Sequence, residues 1–381
     1  MNESSLNNVA TELKIIQPVI GIEEVDNILK VLRSGWLTEG QQTKEFEEKV
    51  KNFCGAKFAV ATTSCTTAIE LALRTLRIGP GDEVIVPDFT HPATGNMVRW
   101  VGANPVLVDV DLSSYNIDPA EVEKAITEKT RCIMPVSWGG NPLNMKPLTE
   151  LKEKHNLFIV EDAACSLGAA YDGNKTGTMA DITCFSFHPR KIITTGEGGM
   201  VVTDNPSFAK DLQKLKAFGM EMTKAGKTMF TNCGTNSKLS DVLAAIGVEQ
   251  MKKIDAIIQK RIELADYYNK LLAGYSSIRV PRKDEKAQHV YQTYAPYIVK
   301  KGLRNKIMTE LKKKRIETRI GTYALHLQPA FREAKRIGRL QRSKDLYENL
   351  LALPMCHSMS KPEQEWVICE LKNSIKTSLA N

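Results

Sequence analysis

Short apolar and β-branched runs alternate with segments of helical periodicity between Lys57 and about Asp204. Several runs are apolar almost throughout, as expected of strands that are covered on both faces. This alternation predicts an α/β fold with a mostly parallel sheet and crossover helices. Function is then expected at the strand ends. The predicted strands are KFAVATTS, DEVIVP, PVLVDVD, TRCIMPVS, LFIVED, ITCFSF and GGMVVTD.

The pattern changes beyond about Met251 to long amphipathic segments with short strands near 290–300 and 316–320. We therefore predict a large α/β domain over 1–250 and a smaller α+β domain over 251–381. An N-terminal arm at 1–52 contains a helical stretch and a loop at 34–40, and either domain is a possible packing partner for it. The predicted helices are 21–32, 254–272, 303–314, 340–350 and 362–375.

Composition narrows the possible functions of this chain of 381 residues. The formal charge of +8 comes from scattered basic residues without an aromatic-basic stripe, which argues against nucleic-acid binding. No C-x-x-C pair occurs among the eight cysteines, and the start from Met1 to Leu13 lacks the apolar core of a secretory signal. No run of apolar residues is long enough to span a membrane. We therefore expect a cytoplasmic protein.

The stretch SFHPRKIITTGEGG places Lys191 between a predicted strand and a glycine-rich turn. A lysine amine becomes nucleophilic when nearby positive charge or burial lowers its pKa, and we expect Arg190 and a tight loop to supply both. A surface lysine is the usual alternative for this residue type. The surrounding motif favours the nucleophile.

An acidic residue, Asp162, ends the apolar strand LFIVED and is followed by small residues. A carboxylate here would pair with the protonated ring nitrogen of pyridoxal phosphate (PLP). This pairing keeps the cofactor in the form that accepts electrons from a carbanion. Taken alone, an aspartate at a strand end is more often a turn former or helix cap. Its combination with Lys191 favours the PLP interpretation.

Hydroxyl side chains surround the start of a helix predicted near Thr66 or Thr67. Free backbone N–H groups and the helix dipole favour a phosphate at such a position, and Ser186 is placed to add a hydroxyl from across the cleft. Ordinary N-capping explains the same residues equally well. In the segment DFTHPAT, His91 is a candidate for stacking on a cofactor ring, although a loop or core role is equally consistent.

Taken together, these segments resemble the DegT/DnrJ/EryC1/StrS family of sugar aminotransferases over about residues 20–368. The segments that carry the resemblance are SGWLTEG, SCTTAIELAL, VPDFTHPAT, VEDAACSLGA, FSFHPRKIITTGEGG, GTNSKLSDVLAAIGVEQ and ALHLQP. The resemblance implies the type I aminotransferase fold, PLP as cofactor, L-glutamate as amino donor, and a homodimer with cofactor sites at its interface.

The resemblance also assigns roles to individual residues. Lys191 would be the Schiff-base lysine, and Asp162 would pair with the pyridine nitrogen. The other implied cofactor contacts are Thr66, Thr67 and Ser186 at the phosphate, His91 at the ring, Cys165 near the cofactor hydroxyl, and Asn236 at the phosphate of the neighbouring subunit. Thr38 and His326 fall where family members line the sugar site.

This chain departs from the family pattern at several of these positions. Cys165 replaces the usual His or Gln and is a poorer partner for the cofactor hydroxyl, and Cys65 replaces a glycine in the phosphate segment. Asn141 and Lys238 stand where His and Arg are frequent. Because Lys191 and Asp162 are retained, we expect a shifted substrate preference with the chemistry preserved.

The sequence predicts transfer of an amino group from L-glutamate to a keto sugar, which is expected to be a nucleotide-linked keto-deoxyhexose used for amino sugars of polysaccharides or antibiotics. Two alternatives are a PLP-dependent sugar dehydratase or other lyase, and a non-catalytic regulatory protein on the same scaffold. No metal site is predicted, because the six histidines form no pair with metal-ligand spacing.

Overall fold

The computed structural model of the protein describes residues 12–380. Residues 1–11, which include most of the polar start of the chain, lie outside the described residues. The same holds for residue 381, the last one of the predicted small domain. The helices are α1 Ile22–Ser34, α2 Gln41–Cys54, α3 Cys65–Thr75, α4 Pro92–Trp100, α5 Pro119–Ala125, α6 Lys146–His155, α7 Pro206–Leu215, α8 Asp241–Leu272, α9 Arg304–Lys313, α10 Gln341–Asn349 and α11 Lys361–Ala380.

A large sheet of eight strands forms the centre of the described residues. All the strands predicted from apolar runs belong to it. They are β1 Phe58–Thr62, β2 Glu83–Pro87, β3 Asn104–Val108, β4 Thr130–Ile133, β5 Phe158–Asp162, β6 Ile182–Ser186 and β7 Gly199–Thr203, joined at one edge by the short β8 Lys335–Arg336. The order across the sheet is β1-β7-β6-β5-β4-β2-β3-β8.

The sheet is mostly parallel, as predicted, with one exception. Strand β7 runs antiparallel to both of its neighbours, β6 and β1. The chain between β6 and β7 contains Lys191 and forms no helix. Without a crossover helix to return the chain to the starting edge of the sheet, the next strand runs back beside the previous one.

Shorter strands pair outside the large sheet, and several of them belong to the C-terminal part of the chain. They are Phe89–Thr90 with Tyr323–Ala324, Ala170–Tyr171 with Asn174–Lys175 and Ala287–Gln288, Met220–Met222 with Thr228–Phe230, Ile278–Arg279 with Tyr297–Ile298, and Arg319–Ile320 with Leu351–Ala352. Three short 3₁₀ segments lie at Trp138–Gly140, Leu325–Leu327 and Pro329–Phe331.

Helix α8 begins earlier than predicted and belongs to two hydrophobic cores. Its first half packs with α2 and the sheet through residues such as Val248 and Ile254. The second half packs with the C-terminal elements through residues such as Leu264 and Tyr268. The predicted boundary at 250/251 therefore falls inside a continuous helix, and the division into two domains remains a prediction.

The N-terminal segment, whose packing partner the sequence left open, contacts both parts of the molecule. Phe46 and Val50 of α2 are fully buried against the sheet and α8. Farther towards the N-terminus, Leu13 pairs with Ile316 in a short parallel bridge of the C-terminal part. The segment therefore connects the two cores.

A buried guanidinium group joins α8 to the C-terminal loops. Arg261 is 3% exposed and donates hydrogen bonds to the backbone carbonyls of Tyr291 at 2.9 Å, Met355 at 3.0 Å and Gln292 at 2.6 Å. Burial lowers the pKa of Arg261 to about 10, so that it remains charged at neutral pH. These bonds satisfy carbonyls that otherwise have to be buried without a donor.

We predict that Arg261→Met lowers the free energy of unfolding by roughly 3 to 5 kcal/mol, because three buried carbonyls lose their donor. The measurement is chemical denaturation of the purified protein. Lys270→Met, at an exposed lysine of the same helix, is the control and should change stability little. Equal effects of the two substitutions would contradict the structural role of Arg261.

Candidate active site

A cavity of about 750 Å³ lies where the sheet strands meet the loops that follow them. Its walls come from the start of α3, the loop between β6 and β7, and the segment 318–323 of the C-terminal part. Many of the residues predicted from the sequence line it together. They are Thr66, His91, Asp162, Cys165, Ser186 and Lys191.

The side chain of Lys191 reaches this cavity from the loop after β6. Its Nζ atom lies 3.2 Å from Sγ of Cys165. Burial lowers the pKa of Lys191, but the Cys165 sulfur and the Asp162 carboxylate outweigh burial and bring this pKa above its ordinary value. This corrects the expectation that Arg190 and the tight loop lower it.

The carboxylate of Asp162 ends strand β5 and is 5% exposed. Its Oδ2 atom accepts a hydrogen bond from the Thr94 hydroxyl at 2.7 Å, and its Oδ1 atom accepts one from the Ala164 backbone N–H at 3.2 Å. Sγ of Cys65 lies 4.0 Å from Oδ1, and burial raises the pKa of this thiol well above its ordinary value. The carboxylate is therefore held by neutral donors.

The start of α3 forms a polar wall of the cavity. Its N-cap is Ser64, so that the helix begins at Cys65, slightly before the predicted start. The Thr67 backbone N–H donates to Oγ of Ser64 at 3.1 Å, and the Ser64 backbone N–H donates to Oγ1 of Thr67 at 3.0 Å. Thr67 thus completes the cap and does not line the cavity, whereas Thr66 does.

Strand β7 lies close to the start of α3, and its neighbour β6 adds the hydroxyl of Ser186 to this wall. A β-carbon on Gly199 would lie 2.3 Å from the carbonyl carbon and oxygen of Ser64, so only glycine fits between the strand and the helix cap. Gly199 is in register with Ser186 on the neighbouring strand β6. Ser64, Thr66 and Ser186 therefore line one region of the cavity, beside the free N–H groups of the first helical turn.

His91 caps a helix and also lines the cavity, and its stacking on a cofactor ring remains a prediction. Its Nδ1 atom accepts a hydrogen bond from the Ala93 backbone N–H at 3.2 Å and caps α4, while the residue lines the cavity. The ring meets the edge of Tyr323 with a centroid distance of 6.2 Å. The cap fixes the backbone position of His91 and leaves its ring available to a ligand.

Asn236 and Thr38 do not line the cavity of their own chain. Asn236 is exposed, and its Oδ1 atom accepts a hydrogen bond from Nζ of Lys238 at 2.6 Å. Thr38 is exposed in the loop before α2, where its carbonyl accepts a hydrogen bond from the Asp241 backbone N–H at 3.3 Å. Their roles at a cofactor or sugar site remain predictions.

His326 also lies outside the residues that line the cavity. Its Nδ1 atom is 2.6 Å from Oδ2 of Asp88, and its backbone N–H donates to Oδ1 of the same carboxylate at 2.7 Å. Burial raises the pKa of Asp88 above its ordinary value, although the contact with His326 opposes this. The pair ties the C-terminal part to the end of β2, and a sugar contact of His326 remains a prediction.

Other cavity residues were not singled out by the sequence. Trp138, Gln292, Thr293 and Tyr323 come from segments whose spacing carries no signal for the site. Thr94, which contacts Asp162, lies in the segment DFTHPAT, where the sequence predicted only His91 as a site residue. The sequence signal for Thr94 is a second threonine, Thr90, four residues earlier at the start of a helix. Among the described residues, no cluster of His, Cys, Asp and Glu is arranged to hold a metal.

The family model for DegT/DnrJ/EryC1/StrS aminotransferases matches residues 18–372. The chain belongs to this family. It is therefore a PLP-dependent aminotransferase with the type I fold, which confirms the family, fold, enzyme class and cofactor predicted from the sequence.

No helix of the described residues is long and apolar enough to cross a membrane.

Relatives with curated names cover most of the chain. GDP-perosamine synthase from Caulobacter vibrioides is 36% identical over 84% of this chain and 86% of its own length. The spore coat polysaccharide biosynthesis protein SpsC from Bacillus subtilis is 32% identical over 94% of this chain and 96% of its own length.

Solved structures of other proteins superimpose closely on the whole chain. The PMP form of Spr1654 from Streptococcus pneumoniae has a TM-score of 0.91 and 30% identity over 97% of this chain and 99% of its own, and the same protein is known in a PLP form. DesV from S. venezuelae has a TM-score of 0.89 and 33% identity over 96% of this chain and 98% of its own.

The donor set of the cavity fits PLP. A lysine amine is available for the aldehyde, and hydroxyls with free N–H groups are available for the phosphate. A buried carboxylate is available for the ring nitrogen, and no basic side chain of the described residues is bound to it. These groups belong to Lys191, Asp162 and the wall formed by Ser64, Thr66 and Ser186.

We predict that Thr66→Ala and Thr67→Ala have different effects, because only Thr66 lines the cavity. Thr67→Ala removes half of the capping box and should lower the free energy of unfolding by about 1 kcal/mol. Thr66→Ala should leave stability unchanged but weaken PLP binding about tenfold. Denaturation without PLP and a PLP titration measure the two effects. The opposite assignment of effects would show that Thr67 is the phosphate residue.

Proposed function

We propose that this protein transfers the amino group of L-glutamate to the ketone of a nucleotide-linked sugar. The observation that carries the proposal is the placement of Lys191 and the buried carboxylate Asp162 in one cavity with a polar helix start. The cavity also extends to residues 318–323 and 352–355, which leaves room for a substrate beside the cofactor. The relatives named for polysaccharide and perosamine synthesis support a sugar acceptor.

PLP, when bound, supplies an electron sink for the negative charge that develops on the substrate carbon. Ionised Asp162 would keep the ring nitrogen protonated, and this is the condition under which the sink is effective. His91 would cover one face of the ring. Thr66, Ser186 and the first N–H groups of α3 would bind the phosphate.

Lys191 has two roles in this proposal, as covalent anchor and as proton carrier. With PLP and the amino substrate bound, the Nζ atom of Lys191 would take the proton from the substrate carbon and would return it in the reverse direction. Sγ of Cys165, at 3.2 Å, is a neighbour that accepts a hydrogen bond from this Nζ atom.

Two arginines on the cavity wall are placed to bind the anionic groups of the substrates. Arg319 already donates to Oε1 of Glu317 from its Nε and Nη2 atoms at 3.2 Å and 3.0 Å, which holds the guanidinium in place. Arg190 lines the same cavity. Guanidinium groups match carboxylates and phosphates in shape and charge.

Asn236 supports the proposed homodimer. Its amide oxygen is occupied by Lys238, so that its two amide N–H groups are left to donate, and it lies outside its own cavity on an exposed surface. We propose that these N–H groups reach the cofactor phosphate of a second subunit. Thr38, which is exposed as well, would contribute to the sugar site from the same surface.

The alternative reactions predict different products. A dehydratase or other lyase would convert the sugar without consuming glutamate, whereas a regulatory protein would bind its ligand without any need for Lys191. The resemblance to the family implies that a dehydrating branch has histidine at the position of the lysine, and this chain retains Lys191. This retention favours transfer of an amino group.

We predict that L-glutamate changes the visible spectrum of the PLP-bound protein and releases 2-oxoglutarate. Lys191→Ala should slow this half-reaction by about 10² to 10⁴-fold, because it removes the proton carrier. Lys286→Ala, at an exposed lysine paired with Asp172, is the matched control and should react like wild type. Stopped-flow spectroscopy and product detection measure the reaction.

Two outcomes would contradict the proposal. If PLP binds but glutamate causes no change, either the donor or the reaction class is different. If Lys191→Ala reacts as fast as wild type, Lys191 is not the proton carrier. A panel of nucleotide-linked keto sugars then tests the acceptor, since amino transfer consumes glutamate in proportion to product and a lyase does not.

We predict that Arg190→Gln or Arg319→Gln raises the KM of an anionic substrate about tenfold, because a charge-assisted contact is lost. Glutamate and the nucleotide sugar are varied separately, so that the result assigns each arginine to one substrate. Arg282→Gln, at an exposed arginine outside the cavity, is the control. Unchanged KM values for both substrates would show that the two arginines bind neither.

A further inference from the structure

The carboxylate of Asp162 is linked to two buried threonines that the proposed mechanism does not use. Oγ1 of Thr94, in the first turn of α4, lies 2.7 Å from Oδ2 of Asp162. Oγ1 of Thr90 lies 3.0 Å from Oγ1 of Thr94. Thr94 is fully buried and Thr90 is 1% exposed, so the hydrogen bonds have little access to water.

The charge of Asp162 determines the direction of these hydrogen bonds. An ionised carboxylate only accepts hydrogen bonds, so the single hydroxyl proton of Thr94 points to Oδ2. Thr94 therefore has to accept the proton of Thr90. If Asp162 were protonated on Oδ2, it would donate to Thr94 and this order would be reversed. The series of hydrogen bonds from Thr90 through Thr94 to Asp162 therefore fits an ionised carboxylate.

The other contacts of Asp162 are weaker or less specific. The Ala164 N–H donates to Oδ1 at 3.2 Å, and the thiol of Cys65 is 4.0 Å from the same atom. No described basic side chain forms a salt bridge with the carboxylate. A buried carboxylate without a bound cation depends on hydrogen-bond donors to remain ionised. The Thr94 hydroxyl makes the shortest of these contacts.

We propose that Thr94 is a positioning residue for Asp162, with Thr90 as its support. The hydrogen bond fixes the rotation of the carboxylate and leaves its other lone pairs available to the ring nitrogen of PLP. This inference rests on the proposed role of Asp162 as the partner of that nitrogen. Thr94 itself does not line the cavity.

The experiment compares the affinities of the protein for PLP and for 1-deaza-PLP, in which a carbon replaces the ring nitrogen. Wild type, Thr94→Val and Thr94→Ser are titrated with each compound. Thr94→Val removes the donor and keeps the shape, whereas Thr94→Ser keeps the donor. Thr176→Val is the matched control, because it changes a buried threonine whose hydroxyl has no described hydrogen-bond partner.

We expect Thr94→Val to weaken PLP binding about 10- to 100-fold and to leave 1-deaza-PLP binding within about twofold of wild type. The reason is that only PLP has the ring nitrogen whose charged contact with Asp162 depends on Thr94. Thr94→Ser and Thr176→Val should resemble wild type with both compounds.

Asp162→Asn separates this inference from the proposed function. If Asp162→Asn weakens PLP far more than 1-deaza-PLP while Thr94→Val weakens neither selectively, only the role of Thr94 is overturned. If Asp162→Asn itself does not distinguish the two compounds, the pairing of Asp162 with the ring nitrogen fails, and the inference fails with it. Equal losses for Thr94→Val and Thr94→Ser would show a packing role alone.

Discussion

The carboxylate of Asp162 is buried at the end of a central strand, and no described basic side chain forms a salt bridge with it. Burying a charge is costly unless donors surround it, and here they come from three segments: the loop after β5, the first turn of α4 and, more weakly, α3. These segments must therefore meet at one point. Residues of these three segments line the cavity, and Lys191 lines it as well.

The antiparallel strand β7 determines how Lys191 reaches this cavity. Because the chain turns back directly after β6, the turn stays at the edge of the sheet where the parallel strands end, and Lys191 is carried on it. Gly199 begins the returning strand and allows the cap of α3 to approach it. One turn therefore places the amine and also brings two hydroxyl-bearing segments together. The mostly parallel sheet and its single reversed strand serve the same site.

Sequence patterns predicted the elements better than the contacts. The apolar runs located each long strand because a strand buried on both faces needs side chains of that kind. They did not show the reversal of β7, which depends on the absence of a helix in the connection. The capping role of Thr67 and the pair of Asp88 and His326 depend on side-chain directions across distant segments. Motif spacing singled out Lys191 and Asp162 as candidates, but not Thr94, which donates to Asp162.

Helix α8 runs without interruption from the core around the sheet to the core of the C-terminal part. A rotation of one part against the other would have to bend this helix or break the buried hydrogen bonds of Arg261. Hinges are found at loops and at the ends of elements, and α8 provides neither between the two cores. The frame around the cavity is therefore continuous from one core to the other, and this continuity opposes closure by rotation of one part against the other.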